Sequence, residues 1–203
     1  MKSNFLIGLL AITTMVAVDQ DVFGQQASQS LLTGSAAKNS QDFIGEKTLW
    51  NGFDRFDFLM DDTALTVKPI KASADEGTGV NRQVEGQLRC IVVIPKKAAR
   101  GKPWSWRGRY FDHEPQAEIE LLKRGFHIGF IQSDNVKHWD AWYTFLTEKH
   151  GLSQKPAFVG MSGGGRNAFT WAATYPDRVS CIYADNPLIT RESCRIASTA
   201  ECC

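Results

Sequence analysis

Lys155-Pro156-Ala157-Phe158-Val159-Gly160-Met161-Ser162-Gly163-Gly164-Gly165 decides the fold of this chain. The apolar run from Pro156 to Met161 reads as a buried strand. From Gly163 to Tyr175 the period is helical, with Ala168, Trp171, Ala172 and Tyr175 on one face and Pro176 as the stop. A strand thus hands over to a helix through a turn too tight for a loop, with Ser162 at its apex. Such a turn strains the serine backbone and lifts its hydroxyl above the sheet. Gly160 and Gly164 flank it because side chains there would collide with the neighbouring strand and helix. The helix turns its positive end toward Ser162, which favours an oxyanion there, and the Gly163 N–H is the expected first donor. G-x-S-x-G recurs by chance, but here the strand before it and the helix after it supply the context that the motif needs. A phosphate-binding loop would end in Gly-Lys-Ser/Thr, and a dinucleotide loop would follow the first strand of the sheet; neither description fits.

Upstream of the elbow, strands alternate with helices. Phe53 to Asp61 and Ala64 to Ile70, turned at Asp61-Asp62, read as an antiparallel hairpin. Lys71 to Asn81 is polar and reads as a loop. Leu88 to Ile94 is a continuous apolar run stopped by Pro95, a buried strand. His113 to Arg124 is a helix closed by Gly125, and Phe126 to Ile131 is the next strand. In Val136 to His150, Trp139, Trp142, Tyr143 and Leu146 make one apolar helical face closed at Gly151. Val179 to Ala184 is a further strand. The pattern predicts an α/β fold, a mostly parallel sheet with helices on both faces and an N-terminal antiparallel hairpin. The Trp, Tyr and Phe stripes read as core packing.

The bulk composition is that of a globular domain: 203 residues, 43% hydrophobic and 22% charged, with a net charge of +1 and no basic block. That balance argues against a nucleic-acid groove. Lys2, the apolar run Phe5 to Val18 and the small residues up to Gly24 read as a signal peptide over residues 1–24. The run is shorter than the roughly 20 residues of a membrane span, so no membrane association is expected after cleavage. Residues 25–47, rich in Gln, Ser, Ala and Asn, read as a flexible leader. The location expected is secreted or periplasmic. The five cysteines (Cys90, Cys181, Cys194, Cys202 and Cys203) follow neither a disulfide framework nor a zinc spacing, and Cys90 and Cys181 read as small buried hydrophobes. Asp134, His138 and Asp140 offer metal-ligand chemistry at a spacing that does not converge. No metal and no cofactor is implied.

Pro103-Trp104-Ser105-Trp106-Arg107, Glu120 to His127, the elbow itself and Tyr183-Ala184-Asp185-Asn186-Pro187 together resemble an exported bacterial branch of the α/β-hydrolase superfamily, of the serine esterase or prolyl-oligopeptidase-like kind. The resemblance covers about Phe53 to Pro187. It implies Ser162 as nucleophile and a second oxyanion N–H from the loop after the third strand, read as Lys96 to Phe111, with Trp106 or a neighbour as the candidate. A hydrophobic lid is the competing role for Trp104 and Trp106. Asp185, at the end of the strand after the elbow, is the candidate acid or a site-lining residue; a loop or helix-capping aspartate is the alternative.

The superfamily order is serine, acid, histidine, whereas His113, His127, His138 and His150 all precede Ser162. His113 reads as a surface or helix-start histidine, with approach to the site from its place near the Trp-containing loop as the alternative; His138 and His150 read as structural. The connection Ile131 to Val136 is shorter than the resemblance implies. Residues 48–190 are therefore expected to form an incomplete α/β-hydrolase domain, and 191–203, with three cysteines and no strand pattern, an aberrant tail. The expected activity is acyl transfer on a small-molecule or glycan-linked ester, impaired for want of a histidine base. A non-catalytic binding protein or relict of the same fold, or a peptidase, is the alternative.

Overall fold

The structure, a computed structural model, describes residues 42–70 and 85–189. The stretch 1–24 expected as a signal peptide, the expected leader up to residue 41, the whole polar loop Lys71 to Asn81 and the expected tail 191–203 lie outside the described residues, as do Cys194, Cys202 and Cys203.

The described strands are β1 (Lys47–Trp50), β2 (Phe53–Asp61), β3 (Val67–Ile70), β4 (Gln87–Ile94), β5 (Trp104–Gly108), β6 (His127–Ile131), β7 (Ala157–Met161) and β8 (Cys181–Asp185). The helices are α1 (Gln116–Lys123), α2 (Val136–Thr144), continued by a π-helical turn Phe145–Lys149, and α3 (Gly163–Thr174). One sheet runs in the order β1-β2-β4-β6-β5-β7-β8, with β3 also on β2. β6, β5, β7 and β8 are parallel, while β1 to β4 pair antiparallel and β4 is antiparallel to β6. The architecture is an α/β fold on one mixed sheet, with a larger antiparallel portion than the hairpin alone predicts.

Two of these strands were not expected. β1 pairs with β2 through Asn51-Gly52, both at positive φ, the two-residue turn whose twist suits a hairpin. β5 lies inside the stretch Lys96 to Phe111 expected as a loop. Its sequence Trp-Ser-Trp-Arg-Gly has no uniform apolar character, because its two faces meet different partners. The end of the expected leader also differs. Phe43 stacks on His150 at 4.0 Å between ring centroids and packs on Phe56 and Phe58, so residues just before Lys47 dock on the sheet.

Strand alternation divides the core. Trp104 and Trp106 of β5, Cys90 and Val92 of β4, and Phe158 of β7 face Trp139, Trp142, Leu146, Ala168 and Trp171 from α2, its π-turn and α3. Ile91, Val93, Ile128 and Phe130 face the other way, against Trp50, Phe53, Phe111 and Leu122 of α1. Two of the buried indoles keep their polar handles satisfied: Trp104 Nε1 donates to the Ser153 carbonyl and Trp139 Nε1 to that of Ser133. A buried carboxylate, Asp57, ties β2 to β4 by accepting from Arg55 at 2.6 Å and Arg89 at 3.0 Å.

Candidate active site

Ser162 sits between β7 and α3 with φ 49° and ψ −117°, a conformation that L-residues other than glycine rarely adopt. Four backbone bonds hold it there. Its N–H donates to the Asp185 carbonyl at 3.0 Å, and its own carbonyl accepts from Leu188 at 2.8 Å, Gly165 at 3.1 Å and Arg166 at 3.5 Å. The approach of α3 to the sheet requires the neighbouring glycines. A Cβ on Gly160 would stand 2.6 Å from the Gly164 carbonyl carbon, and one on Gly164 would overlap the Gly108 carbonyl oxygen. Half-buried Ser162 carries its Oγ at the start of α3 with no hydrogen-bond partner among the described residues. The Gly163 N–H lies in the first turn, where an α-helix leaves its amides without internal acceptors.

The segment after β5 forms the adjacent wall. Arg109, Tyr110, Asp112 and Glu114 all have positive φ, an unusual density for non-glycine residues. Arg107 holds this segment from beneath. Its guanidinium pairs with buried Glu118 at 2.7 Å and donates to the carbonyls of Arg109 at 3.3 Å, Tyr110 at 3.2 Å and His113 at 2.7 Å. One buried cation therefore fixes three backbone carbonyls beside the elbow. Sequence reasoning missed this role; the Trp-Ser-Trp-Arg alternation, which turns Arg107 away from the tryptophans, was the available signal.

Arg109 lies over the elbow itself. A Cβ on Gly163 would be 2.6 Å from its Nη1. Its Nη2 donates to Asp134 Oδ2 at 2.6 Å, while Asp134 Oδ1 accepts from Asn167 Nδ2 at 2.9 Å and Arg166 Nη2 stands 3.6 Å from Oδ2. The short connection after β6 thus places one carboxylate between two guanidinium groups.

The structure distributes the expected site residues unevenly. Ser162, Gly163 and Asp185 come together, Asp185 through its backbone bond and its place opposite Met161 in the register of β7 and β8. The exposed Asp185 borders a cavity of about 180 Å³ that is also lined by Arg107, His113, Met161 and Tyr183. Trp106 is corrected. It belongs to β5, is 3% exposed, and stacks against Trp104 and Phe158 with its side chain in the core. The loop after this strand begins at Arg109. Cys181 is also corrected: β8 is the last described strand at its edge, and Cys181 is exposed while Cys90 is buried.

Among the described residues no histidine hydrogen-bonds Ser162. His138 is held between Ser133 Oγ at 2.8 Å and the Asp62 carbonyl at 3.1 Å. His127 opens β6 at the far end of the parallel strands. Burial pushes its pKa down to about 4, against the raising effect of its bond to the Pro103 carbonyl, with Lys102 lowering it further. His127 and His150 border a cavity of about 520 Å³ at that end, away from Ser162. Asp134, His138 and Asp140 do not converge, since Asp140 pairs with Arg178 at 2.6 Å. Among the described residues no group of three or more His, Cys, Asp or Glu could hold a metal ion, and no helix is long and apolar enough to cross a membrane.

No family model matches the chain, and no curated protein matches it. Among solved structures it is similar to a zinc-bound cold-adapted esterase from an Arctic intertidal metagenomic library, at 12% identity over 71% of this chain and 63% of that one, TM-score 0.47. An alpha/beta hydrolase from a Medee basin deep-sea metagenome library aligns at 14% identity over 55% and 56% of the two chains, TM-score 0.43. Epoxide hydrolase A from Mycobacterium thermoresistibile aligns at 22% identity over 48% and 35%, TM-score 0.37. The chain spans 35% to 63% of the length of these three proteins.

Proposed function

We propose that this chain is a serine-nucleophile hydrolase that acts on carboxylic esters, small or glycan-linked, by acyl transfer. The observation that carries the reading is Ser162 at φ 49°, pinned by four backbone bonds, with its Oγ unpartnered at the start of α3 among the described residues. Strain of this kind costs about 1–3 kcal/mol and persists where the surroundings over-determine it, as they do at functional sites.

In this reading Ser162 Oγ attacks the ester carbonyl as its proton passes to a base. The carbonyl oxygen becomes an oxyanion held by the Gly163 N–H and an N–H from the segment at Arg109-Tyr110. Collapse of the tetrahedral intermediate breaks the bond to the alcohol, which leaves with a proton. Water then adds to the acyl-serine, the second tetrahedral intermediate collapses, and the acid departs as Ser162 regains its proton. Asp185 lines the site as the candidate acid. A peptide amide would pass through the same oxyanion. With no histidine on Ser162 among the described residues, turnover is expected to fall by about 10⁴ to 10⁶ relative to an intact triad. Export to a secreted or periplasmic location, after removal of residues 1–24, belongs to the same proposal.

The second reading is a non-catalytic binding protein or relict of the same fold, favoured by that lack of a base. A fluorophosphonate probe separates the two. Covalent labelling of the full chain that disappears in Ser162→Ala supports the hydrolase. No labelling of folded protein supports the binding protein.

A further inference from the structure

We infer that Arg109 is a specificity-determining residue, holding a carboxylate on the acyl side of the ester beside the elbow. As a statement about substrates this rests on the serine-hydrolase reading; as a statement about anion binding it does not.

Arg109 is the first residue after β5, in the left-handed region at φ 60°. A non-glycine residue there costs of order 1 kcal/mol, and nothing in the turn itself requires an arginine. That backbone, fastened through its carbonyl to Arg107 Nε, brings the guanidinium against Gly163. One edge of the guanidinium is fixed, because Nη2 donates to Asp134 at 2.6 Å. Asp134 is in turn oriented by Asn167 and approached by Arg166. One carboxylate between two guanidinium groups leaves a net positive charge. The Nη1 edge of Arg109 has no acceptor among the described residues and lies against the residue that follows the nucleophile. Arg109 and Asp134 are 38% and 41% exposed, so a small solute can reach the pair.

A guanidinium with Nη2 fixed on one carboxylate and Nη1 without an acceptor among the described residues still offers charge-assisted N–H donors to a second carboxylate. An ester whose acyl part carries a carboxylate a few bonds from its carbonyl would place the anion on Arg109 and the carbonyl over Ser162. Half-esters of short dicarboxylic acids are the simplest members of that class. Asn167 and Arg166, one α3 turn beyond Ser162, belong to the same device because they hold Asp134 in place.

The test is binding to the full chain without turnover. Calorimetry compares monomethyl succinate, a monoanion, with neutral dimethyl succinate in wild type, Ser162→Ala, Arg109→Gln and Arg109→Lys. The expected result is at least tenfold tighter binding of the monoanion by wild type and Ser162→Ala, loss of that preference in Arg109→Gln, and partial retention in Arg109→Lys. Equal affinities in wild type, or an unchanged preference in folded Arg109→Gln, overturn the inference. Should Arg109→Gln fail to fold, amide NMR shifts in wild type decide. Succinate-induced shifts concentrated at Arg109 and Gly163 support the site, and their absence there overturns it. Fluorophosphonate labelling is read separately, so failure of the nucleophile and failure of the anion site are distinct results.

Discussion

The amide of Ser162 donates to the carbonyl oxygen of Asp185 at 3.0 Å, so β8 holds the elbow by its backbone before any side chain acts. The serine is therefore clamped between two strands and a helix. Its strained conformation is a property of the whole sheet end and not of the turn alone.

Glycine at position 162 should relieve that strain. Ser162→Gly is expected to stabilise the fold by about 1 kcal/mol, because glycine adopts φ 49° without penalty, and to abolish fluorophosphonate labelling. Urea unfolding checks it; a less stable variant would show that the conformation is unstrained.

Glycines 160 and 164 should tolerate nothing larger. Ala at either position meets α3 or β5 backbone that cannot swing aside, and a loss of about 3 kcal/mol or more is expected. Gly86→Ala is the control. It meets nothing within 4 Å but keeps φ +73°, so its cost should be about 1 kcal/mol. Equal losses at positions 86 and 164 in thermal melts would refute the close-approach argument.

Arg107→Met should cost about 3–5 kcal/mol, because it leaves the Glu118 carboxylate buried and uncompensated. Arg107→Met combined with Glu118→Leu should recover part of the loss but not the order of residues 109–114, whose carbonyls lose their common donor. Proteolysis in that segment, measured beside global stability, separates the two effects.

His127 should make the fold acid-sensitive. Its pKa is near 6.5 when unfolded and about 4 when folded, so the unfolded chain binds the extra proton between those values. The contribution is full above pH 6.5, fades as pH falls and is gone near pH 4. At 1.36 kcal/mol per pH unit it amounts to about 3 kcal/mol. His127→Gln should flatten the dependence of the urea midpoint on pH in that window. An unchanged slope would remove His127 as its source.

Cys181 and Cys90 should differ in reactivity. Cys181 is exposed, whereas burial raises the Cys90 thiol well above its usual pKa and removes it from solvent. Native-state maleimide treatment followed by peptide mass mapping should modify residue 181 and spare residue 90. Modification of Cys90 at a similar rate would mean that β4 opens.

How legible each feature was follows from the range of the interactions behind it. β7, the elbow and α3 were readable because strand period, glycine positions and helix period all lie within some twenty contiguous residues. The β1–β2 hairpin carries a local signal too, Asn51-Gly52. β5 and the place of Trp106 are not legible locally, because Trp-Ser-Trp-Arg-Gly looks neither apolar nor alternating in charge until its two faces are known. Trp106 stacks on Phe158 and packs tilted against Trp171, both far along the chain, while Arg107 finds Glu118 across the other face.

By itself, then, the sequence determined the elements that short-range physics can specify: a strained serine between glycines, apolar helical stripes, a turn at Asp61 and an alternating α/β order. Tertiary structure alone decided what surrounds that serine. Arg109, Asp134 and Asn167 come from three separate connections and elements, and only the pairing order of β6, β5 and β7 brings them together at one end of the sheet. Such contacts depend on which strands are neighbours, and neighbours in a sheet are chosen by the burial of the whole core, a quantity that no local stretch of residues encodes.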